Sequence, residues 1–255
     1  DAWKKALPLA KDGESALNLA KVLSQEGQDG ESKRYAEAAL AKGVKKKGEA
    51  YIVIARAEGN LGNKPGMIAA YREAAKYPES RDTANKMLSR LSDFLRYSLY
   101  KDPINKVPLQ QEIYAANLYL EIEKVRFSER LTIIYDIDEA ADQALVPSLI
   151  LQPLVENAIK YAVASQTSGG KIMITAQKFG HDLLMEVADD GPGMVISDGL
   201  PKGESGGVGL VNTKERLAAL YDRNFSLVLT HNHPRGLKVN IRIPFEVEST
   251  DETNA

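Results

Sequence analysis

The amino-acid composition changes sharply near residue 80, and this change most restricts how the chain can fold. Residues 1–80 hold sixteen alanines, three valines and no phenylalanine, an inventory that favours helices and offers few large side chains for the core of a sheet. After this point, short strand-like runs alternate with helical patterns. We therefore expect an all-helical segment followed by a domain that combines helices with a sheet.

Composition also excludes several classes of site. The chain has no cysteine and three histidines, His181, His231 and His233, which excludes a disulfide framework, a thiol nucleophile and a Cys-ligated metal site. Its formal net charge of −2 argues against a large cationic surface for nucleic acid or anionic lipid. No run of eighteen apolar residues is present, so the sequence predicts a soluble protein or fragment. The start at Asp1, without methionine or a signal segment, suggests a longer parent protein.

The alanine-rich segment contains an internal repeat. Gly62 follows Gly27 by 35 residues, and each glycine lies between apolar runs of helical period, a spacing typical of helix–turn–helix repeats. The second unit resembles the tetratricopeptide pattern through Tyr51, Ile54, Ala55, Gly62, Tyr71 and Ala74. The first unit retains fewer of these positions: Leu19, Ala20, Gly27, Ala36 and Ala39. We predict a tetratricopeptide-like segment over 1–80, with a surface for a protein or peptide ligand.

Periodicity divides the remainder into helices and strands. Apolar residues at helical spacing predict an amphipathic helix over 82–100, whose stripe needs a partner. Further helices are expected at about 109–127, 147–164 and 208–221, and strands at 131–137, 171–177, 183–188, 226–230 and 237–243. This irregular alternation predicts an α+β sandwich, in which helices cover one face of a mixed sheet.

Two polar stretches interrupt this otherwise apolar domain. The helical run 152–161 places Glu156, Asn157, Lys160 and Tyr161 close together, and polar groups on a buried helix need partners or a ligand. A strand leads directly into residues 189–193, where two aspartates precede Gly-Pro-Gly and the backbone must turn.

A third stretch is rich in glycine. Residues 203–209 hold four glycines and lead into a helix that starts near Val208. Free N–H groups and the helix dipole at such a junction bind phosphate. The three stretches together indicate a nucleotide site.

The order and spacing of these stretches resemble the ATP-binding domain of the gyrase, histidine kinase and MutL (GHKL) superfamily, whose fold is the Bergerat-type sandwich. Within it, the sequence is most similar to sensor histidine kinases of the LytS/YehU type over about residues 82–245. The resemblance is carried by five ordered segments: 91–99, 119–127, 149–161, 187–194 and 207–217.

The resemblance implies ATP and Mg²⁺ as cofactors and a set of binding residues. Asn157 would hold Mg²⁺, Lys160 would meet the phosphates and Asp189 would accept from the adenine amino group. The glycines would shape the adenine turn and the lid over the triphosphate, and Arg216 would reach the γ-phosphate. The predicted ATP-binding residues are Asn157, Lys160, Tyr161, Asp189, Gly191, Gly193, Gly207, Gly209, Leu210 and Arg216.

Two departures from the family pattern bear on activity. Gly236-Leu237 stands where the family often has Gly-Thr, whose hydroxyl supports the adenine-binding aspartate, so we expect weaker adenine affinity. Pro153 occupies the position of the water-activating glutamate of the superfamily's hydrolases. Glu156 points about 100° away from Asn157 around the helix and is a poor substitute. Phosphoryl transfer to a protein is therefore favoured over ATP hydrolysis.

The family's phosphoacceptor segment, of the type Pro-His-Phe-Leu-Phe-Asn, is not present. We predict that the three histidines lie in turns or at the surface, so no catalytic residue is assigned. Three explanations stay open at this point: the helix is missing from this chain, two unrelated sequences are joined, or the protein acts on a histidine elsewhere.

These observations give four predicted regions: a repeat segment at 1–80, a partial dimerisation helix at 81–104, the ATP-binding domain at 105–247, and a disordered polar tail at 248–255. The main hypothesis is the catalytic region of a cytoplasmic or membrane-anchored histidine kinase. A homodimer through the helix at 82–100 and a response-regulator partner are then expected, and no nucleic acid. The alternatives are an ATP-binding pseudokinase or adaptor that acts through its repeats, and a GHKL hydrolase, which Pro153 disfavours.

Overall fold

A computed structural model of the chain describes residues 12–100, 105–127, 130–164, 166, 169–194, 196–197, 200–201 and 207–248. The chain forms two compact units, which divide between Asp93 and Phe94. This division falls inside a long helix, so the functional boundaries at 80 and 104 stay predictions. Most of the predicted tail, residues 249–255, lies outside the described residues.

The first unit is helical throughout its described part, as predicted. Its helices are α1 (Gly13–Gln25), α2 (Asp29–Ala41), α3 (Lys47–Asn60) and α4 (Lys64–Ala74), followed by the start of α5 (Arg81–Tyr100). Consecutive helices from α1 to α4 pack on one another, and α1 also contacts α3. Fully buried alanines, among them Ala20, Ala36 and Ala55, allow this close approach because their side chains are small.

The sequence repeat is also a structural repeat. Gly27 and Gly62 both adopt positive φ, +73° and +79°, in the turns that follow α1 and α3. The residue after each glycine donates its N–H to the same relative carbonyl: Gln28 to Leu23 at 2.9 Å and Asn63 to Glu58 at 2.8 Å. These bonds end both helices in the manner of a Schellman cap. The repeat is thus confirmed as a pair of equivalent helical hairpins, whereas their tetratricopeptide identity stays a prediction.

The second unit is a two-layer α+β sandwich. Its strands are β1 (Lys106–Pro108), β2 (Leu131–Ile137), β3 (Leu145–Pro147), β4 (Gly170–Phe179), β5 (Asp182–Asp189), β6 (Ile196–Ser197), β7 (Leu200–Pro201), β8 (Ser226–His231) and β9 (Leu237–Pro244). Five of them form a sheet of order β2-β4-β5-β9-β8, in which β2 is parallel to β4 and the other neighbours are antiparallel. Two-stranded ribbons form from β1 with β3 and from β6 with β7.

Helices cover one face of this sheet, as the sequence predicted. They are α6 (Leu109–Phe127), α7 (Gln152–Ala158), which continues as a π-helical turn over Ile159–Val163, and α8 (Gly207–Tyr221). Alternate residues of β9 are buried with apolar residues of these helices in one core. The other face carries ion pairs between β5 and β9, such as Glu186 with Lys238 at 2.9 Å.

One predicted helix begins later than expected. The pattern predicts a helix from residue 147, but residues up to Pro147 form β3 and α7 begins at Gln152. Leu149 between them has φ +60°, a left-handed conformation that a helix cannot contain. The sequence signal failed because the apolar run 149–151 forms a turn, in which Ile150 and Leu151 are buried.

No helix in the described part of the chain is both long and apolar enough to cross a membrane.

Candidate functional site

A mostly apolar pocket opens beside α7 and the end of β5. Three side chains with polar groups project into this otherwise apolar wall: Asn157 and Tyr161 from α7 and its π-helical turn, and Asp189 from β5. A few polar groups in an apolar cleft are typical of ligand sites. The lining residues are Leu154, Asn157, Ala158, Tyr161, Val187, Asp189, Pro192, Gly193, Met194, Leu210, Leu237 and Val239.

Asp189 is the buried anchor of this pocket, with 8% of its surface exposed. Its Oδ1 accepts from the N–H of Gly191 at 2.9 Å and from the N–H of Leu237 at 3.3 Å. Its carbonyl accepts from the Asn232 side chain at 2.7 Å. Because both side-chain bonds use Oδ1, the second carboxylate oxygen is available to accept from a ligand.

Burial raises the pKa of the Asp189 carboxyl, and nearby Asp190 adds to the rise, while the N–H groups of Gly191 and Leu237 oppose it. The ionised form is therefore less favoured in the folded than in the unfolded chain. Ionisation of Asp189 therefore lowers the free energy of unfolding. This loss is fully present above the folded-state pKa and disappears below the unfolded-state pKa.

Asp189→Asn is accordingly expected to raise the free energy of unfolding at neutral pH, because it retains an acceptor for both N–H groups and removes the buried charge. The gain should shrink as the pH falls towards about 4, near the ordinary pKa of aspartate. Denaturant unfolding of both proteins between pH 7 and pH 4 measures it. Equal stability at pH 7 would contradict the buried-charge interpretation.

Two glycines let the backbone close around Asp189. A Cβ atom at Gly191 would lie 2.8 Å from Ala162, and one at Gly236 would lie 1.9 Å from the Asp189 carbonyl oxygen. Gly236 also has φ +113°, which L side chains rarely adopt. The departure at Gly236-Leu237 therefore leaves backbone support for Asp189, since the Leu237 N–H takes part where a threonine hydroxyl was expected.

Half of the ten predicted ATP-binding residues line the pocket, and the other half lie outside its lining. Five of them line the pocket: Asn157, Tyr161, Asp189, Gly193 and Leu210. Gly191 lies beside the pocket in the Asp189 turn. Gly207 and Gly209 lie in the first turn of α8, and residues 202–206 of the predicted lid lie outside the described residues.

Two predicted phosphate-binding cations do not line this pocket. Lys160 is exposed, and its Nζ lies 4.9 Å from the Tyr161 ring centroid. Arg216 is directed elsewhere, since its guanidinium donates to the carbonyls of Ser148 at 2.9 Å and Leu149 at 3.2 Å. In the structure these N–H groups hold the turn before α7, and the contact of Arg216 with the γ-phosphate stays a prediction. Burial lowers the Arg216 pKa.

The donor set fits a magnesium–nucleotide complex. No group of three His, Cys, Asp or Glu residues that could hold a metal occurs among the described residues. Mg²⁺ in nucleotide sites commonly takes one or two protein oxygens, substrate phosphates and water. The amide oxygen of the partly exposed Asn157 is a suitable hard donor, and it lies in the same pocket as Asp189.

Sequence reasoning missed Glu112, a buried carboxylate on α6 that contacts the start of α7. It is 1% exposed and accepts from the N–H groups of Leu149 and Ile150 at 2.6 and 2.8 Å. A signal was present: Glu112 shares one face of α6 with Leu109 and Ala116, and a charge on an apolar helical stripe needs a partner.

The three histidines are exposed, as predicted. His181 lies in the turn before β5, His231 ends β8, and His233 lies in the loop that follows. None is on a helix.

Two segments of the chain match known protein families. Residues 68–131 match the family described as Histidine kinase, and residues 142–247 match the family described as Histidine kinase-, DNA gyrase B-, and HSP90-like ATPase. Both segments thus resemble families that include histidine kinases. The first of them contains no histidine.

The similar curated proteins are sensor histidine kinases. The chain is 36% identical over 162 residues to the sensor histidine kinase YesM of Bacillus subtilis, covering 63% of this chain and 27% of YesM. It is 29% identical over 177 residues to the sensor protein LytS of Enterococcus faecalis, covering 67% of this chain and 30% of LytS. The resemblance to the LytS type is thus confirmed, and the chain spans less than a third of the length of these relatives.

Solved histidine kinase structures are also similar. The catalytic domain of the histidine kinase ThkA matches with a TM-score of 0.43 and 18% identity, over 56% of this chain and 97% of that domain. The Acinetobacter baumannii histidine kinase AdeS matches with a TM-score of 0.44 and 18% identity, over 77% and 95%.

Proposed function

We propose that residues 105–247 bind Mg-ATP in the pocket between α7 and β5, and that the chain is the ATP-binding catalytic region of a two-component sensor histidine kinase. The observation that carries this proposal is the buried Asp189 carboxylate, fixed through one oxygen, in the same pocket as the Asn157 amide. The match to the histidine kinase ATPase family over residues 142–247 supports it.

Each polar group then has a distinct task. The second oxygen of Asp189 accepts from the adenine amino group, while Leu154, Val187 and Val239 exclude water from the base. Asn157 would hold Mg²⁺ through its side-chain oxygen, and the ion would supply positive charge next to the phosphates. The N–H groups at the start of α8, in the turn before the pocket-lining Leu210, would meet the phosphates with the positive end of the helix dipole. Pro153 leaves no side chain there to activate water, which favours transfer to a protein over hydrolysis.

The wider biology follows from the family. A homodimer through helix 82–100, a response regulator as phosphoryl acceptor, and a cytoplasmic position for this region are proposed, with or without a membrane anchor elsewhere in the protein. The helical repeat of the first unit is proposed to bind a protein or peptide.

A second candidate function is an ATP-binding pseudokinase that acts as an adaptor through its repeats. The specific observation in its favour is the lack of histidine in the matched kinase segment 68–131.

We expect this chain to bind Mg-ATP without phosphorylating itself, because in-line transfer needs a nucleophile within about 3.5 Å of the γ-phosphorus. The three histidines lie in turns or at a strand end, none of them on a helix. Incubation with γ-labelled ATP, alone and with a separate helix that carries the family's histidine segment, tests this. Label on the added helix supports a kinase, and binding without any label supports the pseudokinase.

Two further outcomes contradict the proposal. Released phosphate without protein label indicates a hydrolase. Acid-labile label on this chain alone that disappears in His231→Ala or His233→Ala would make one of those residues a phosphoacceptor.

A further inference from the structure

The carboxylate of Glu112 connects three parts of the second unit. Its Oε1 accepts from the Tyr97 hydroxyl at 2.6 Å and from the Leu149 N–H at 2.6 Å. Its Oε2 accepts from the N–H of Ile150 at 2.8 Å and of Leu151 at 3.3 Å. One buried side chain on α6 thus joins α5 to the start of α7.

These contacts hold the turn that leads into α7. Leu151 occupies the N-cap position, and no side-chain cap bonds the first turn of the helix. Glu112 accepts from the N–H of Leu151 and of the two residues before it, and a carboxylate at this place also meets the positive end of the helix dipole. It does so from another helix, 37 residues or more away in sequence.

The same turn is fixed from its other side by Arg216. Leu149 has φ +60°, a conformation that is costly for a side chain of this size and persists only where its surroundings hold it. Its N–H donates to Glu112 and its carbonyl accepts from Arg216. Opposite charges on α6 and α8 therefore fix the peptide groups on both sides of the strained residue.

We propose that Glu112 is a positioning residue of the nucleotide site: its carboxylate fixes the start of α7, and the Tyr97 hydroxyl links that position to helix α5. The proposal rests on the proposed function, because it takes Asn157 on α7 as the magnesium ligand. Asn157 lies less than two helical turns after Leu151, so a shift or tilt of the helix start moves its amide relative to Asp189 on β5. Small displacements of a ligand-bearing helix reduce metal and nucleotide affinity strongly.

This arrangement also gives α5 a route to the pocket. A change in α5 that removes the Tyr97 hydroxyl from Glu112 would leave the carboxylate with three backbone partners. The turn that leads into α7 would then be held less firmly, without any change in the pocket residues. Nucleotide affinity would then depend on the state of the helix proposed for dimerisation.

The test uses the full chain with Glu112→Gln and Tyr97→Phe. Each has a matched control of equal chemistry. Glu58→Gln alters another buried carboxylate, in the first unit, which pairs with Lys33 at 2.8 Å. Tyr221→Phe removes a buried hydroxyl that has no hydrogen-bond partner among the described residues.

Two measurements are made on each protein. Hydrogen exchange without nucleotide reports the protection of amides 149–163. Calorimetry reports ATP affinity with and without Mg²⁺. We expect Glu112→Gln to speed exchange at these amides about 10-fold or more and to weaken Mg-ATP binding about 10-fold, mainly through loss of the Mg²⁺-dependent part. Tyr97→Phe should act in the same direction by about 3-fold, and both controls should match the unaltered chain.

The outcomes separate the two levels of the proposal. Unaltered protein that binds no Mg-ATP overturns the proposed function, and with it a positioning role towards nucleotide, whatever the exchange data are. The positioning role alone is overturned if the unaltered protein binds Mg-ATP and Glu112→Gln does not differ from it. That result requires equal exchange protection of amides 149–163 and an equal Mg²⁺ dependence of ATP binding in the two proteins. If Glu112→Gln does not fold, Tyr97→Phe decides: exchange and affinity equal to those of Tyr221→Phe contradict the link to α5 and the proposal.

Discussion

Asn157→Ala is expected to weaken Mg-ATP binding by several kcal/mol, which corresponds to on the order of 100-fold or more, and to leave the fold intact. The physical reason is that the truncation removes the one protein oxygen proposed to contact the metal. Asn157 is partly exposed and is not part of the buried core, so its loss leaves no large cavity.

Calorimetric titration with ATP in the presence and absence of Mg²⁺ measures the effect, which should be confined to the titration with Mg²⁺. Gln152→Ala is the matched control, because Gln152 begins the same helix and its amide contacts exposed Glu156 rather than the pocket. An unchanged Mg-ATP affinity in Asn157→Ala would remove this residue from the metal site.

Asp189→Asn should weaken ATP binding and reverse the preference between ATP and GTP. The N–H groups of Gly191 and Leu237 hold Oδ1, so an asparagine at this position keeps its oxygen there and directs its NH₂ group towards the base. That NH₂ group opposes the adenine amino group and matches the guanine oxygen. A buried mismatch of this kind costs about 1–3 kcal/mol, or roughly 5- to 150-fold in affinity.

Competition between labelled ATP and unlabelled GTP measures the preference in both proteins. Asp190→Asn is the control, since the adjacent Asp190 accepts from the Lys171 N–H at 2.7 Å and does not line the pocket. Equal affinities of the unaltered chain for ATP and GTP would mean that Asp189 does not read the base.

Asp189→Asn is expected to change protein stability and ATP affinity in opposite directions. At neutral pH, Asp189→Asn should be more stable and bind ATP less well, because the same burial that makes the carboxylate selective also penalises its charge. Stability data alone would therefore not identify Asp189 as functional.

Local patterns in the sequence predicted several elements. The strand at 131–137 and the helix at 109–127 have the predicted bounds. The amphipathic helix predicted over 82–100 forms as Arg81–Tyr100, because the helical spacing of its apolar residues is carried by the sequence itself. Motif spacing likewise predicted Asn157 and Asp189 on separate elements. The fold then brings both into one pocket.

Only the tertiary structure decided which backbone groups Glu112 and Arg216 contact. Sequence reasoning assigned nothing to Glu112 and did not predict that Arg216 contacts the backbone. In the structure Glu112 accepts from the N–H of Leu149, and Arg216 donates to the carbonyl of the same residue. A sequence shows that a charge lies on an apolar stripe. It does not show which backbone groups, 37 residues or more away, lack hydrogen-bond partners there. That depends on where β3 ends and α7 begins, which packing of the whole sandwich determines.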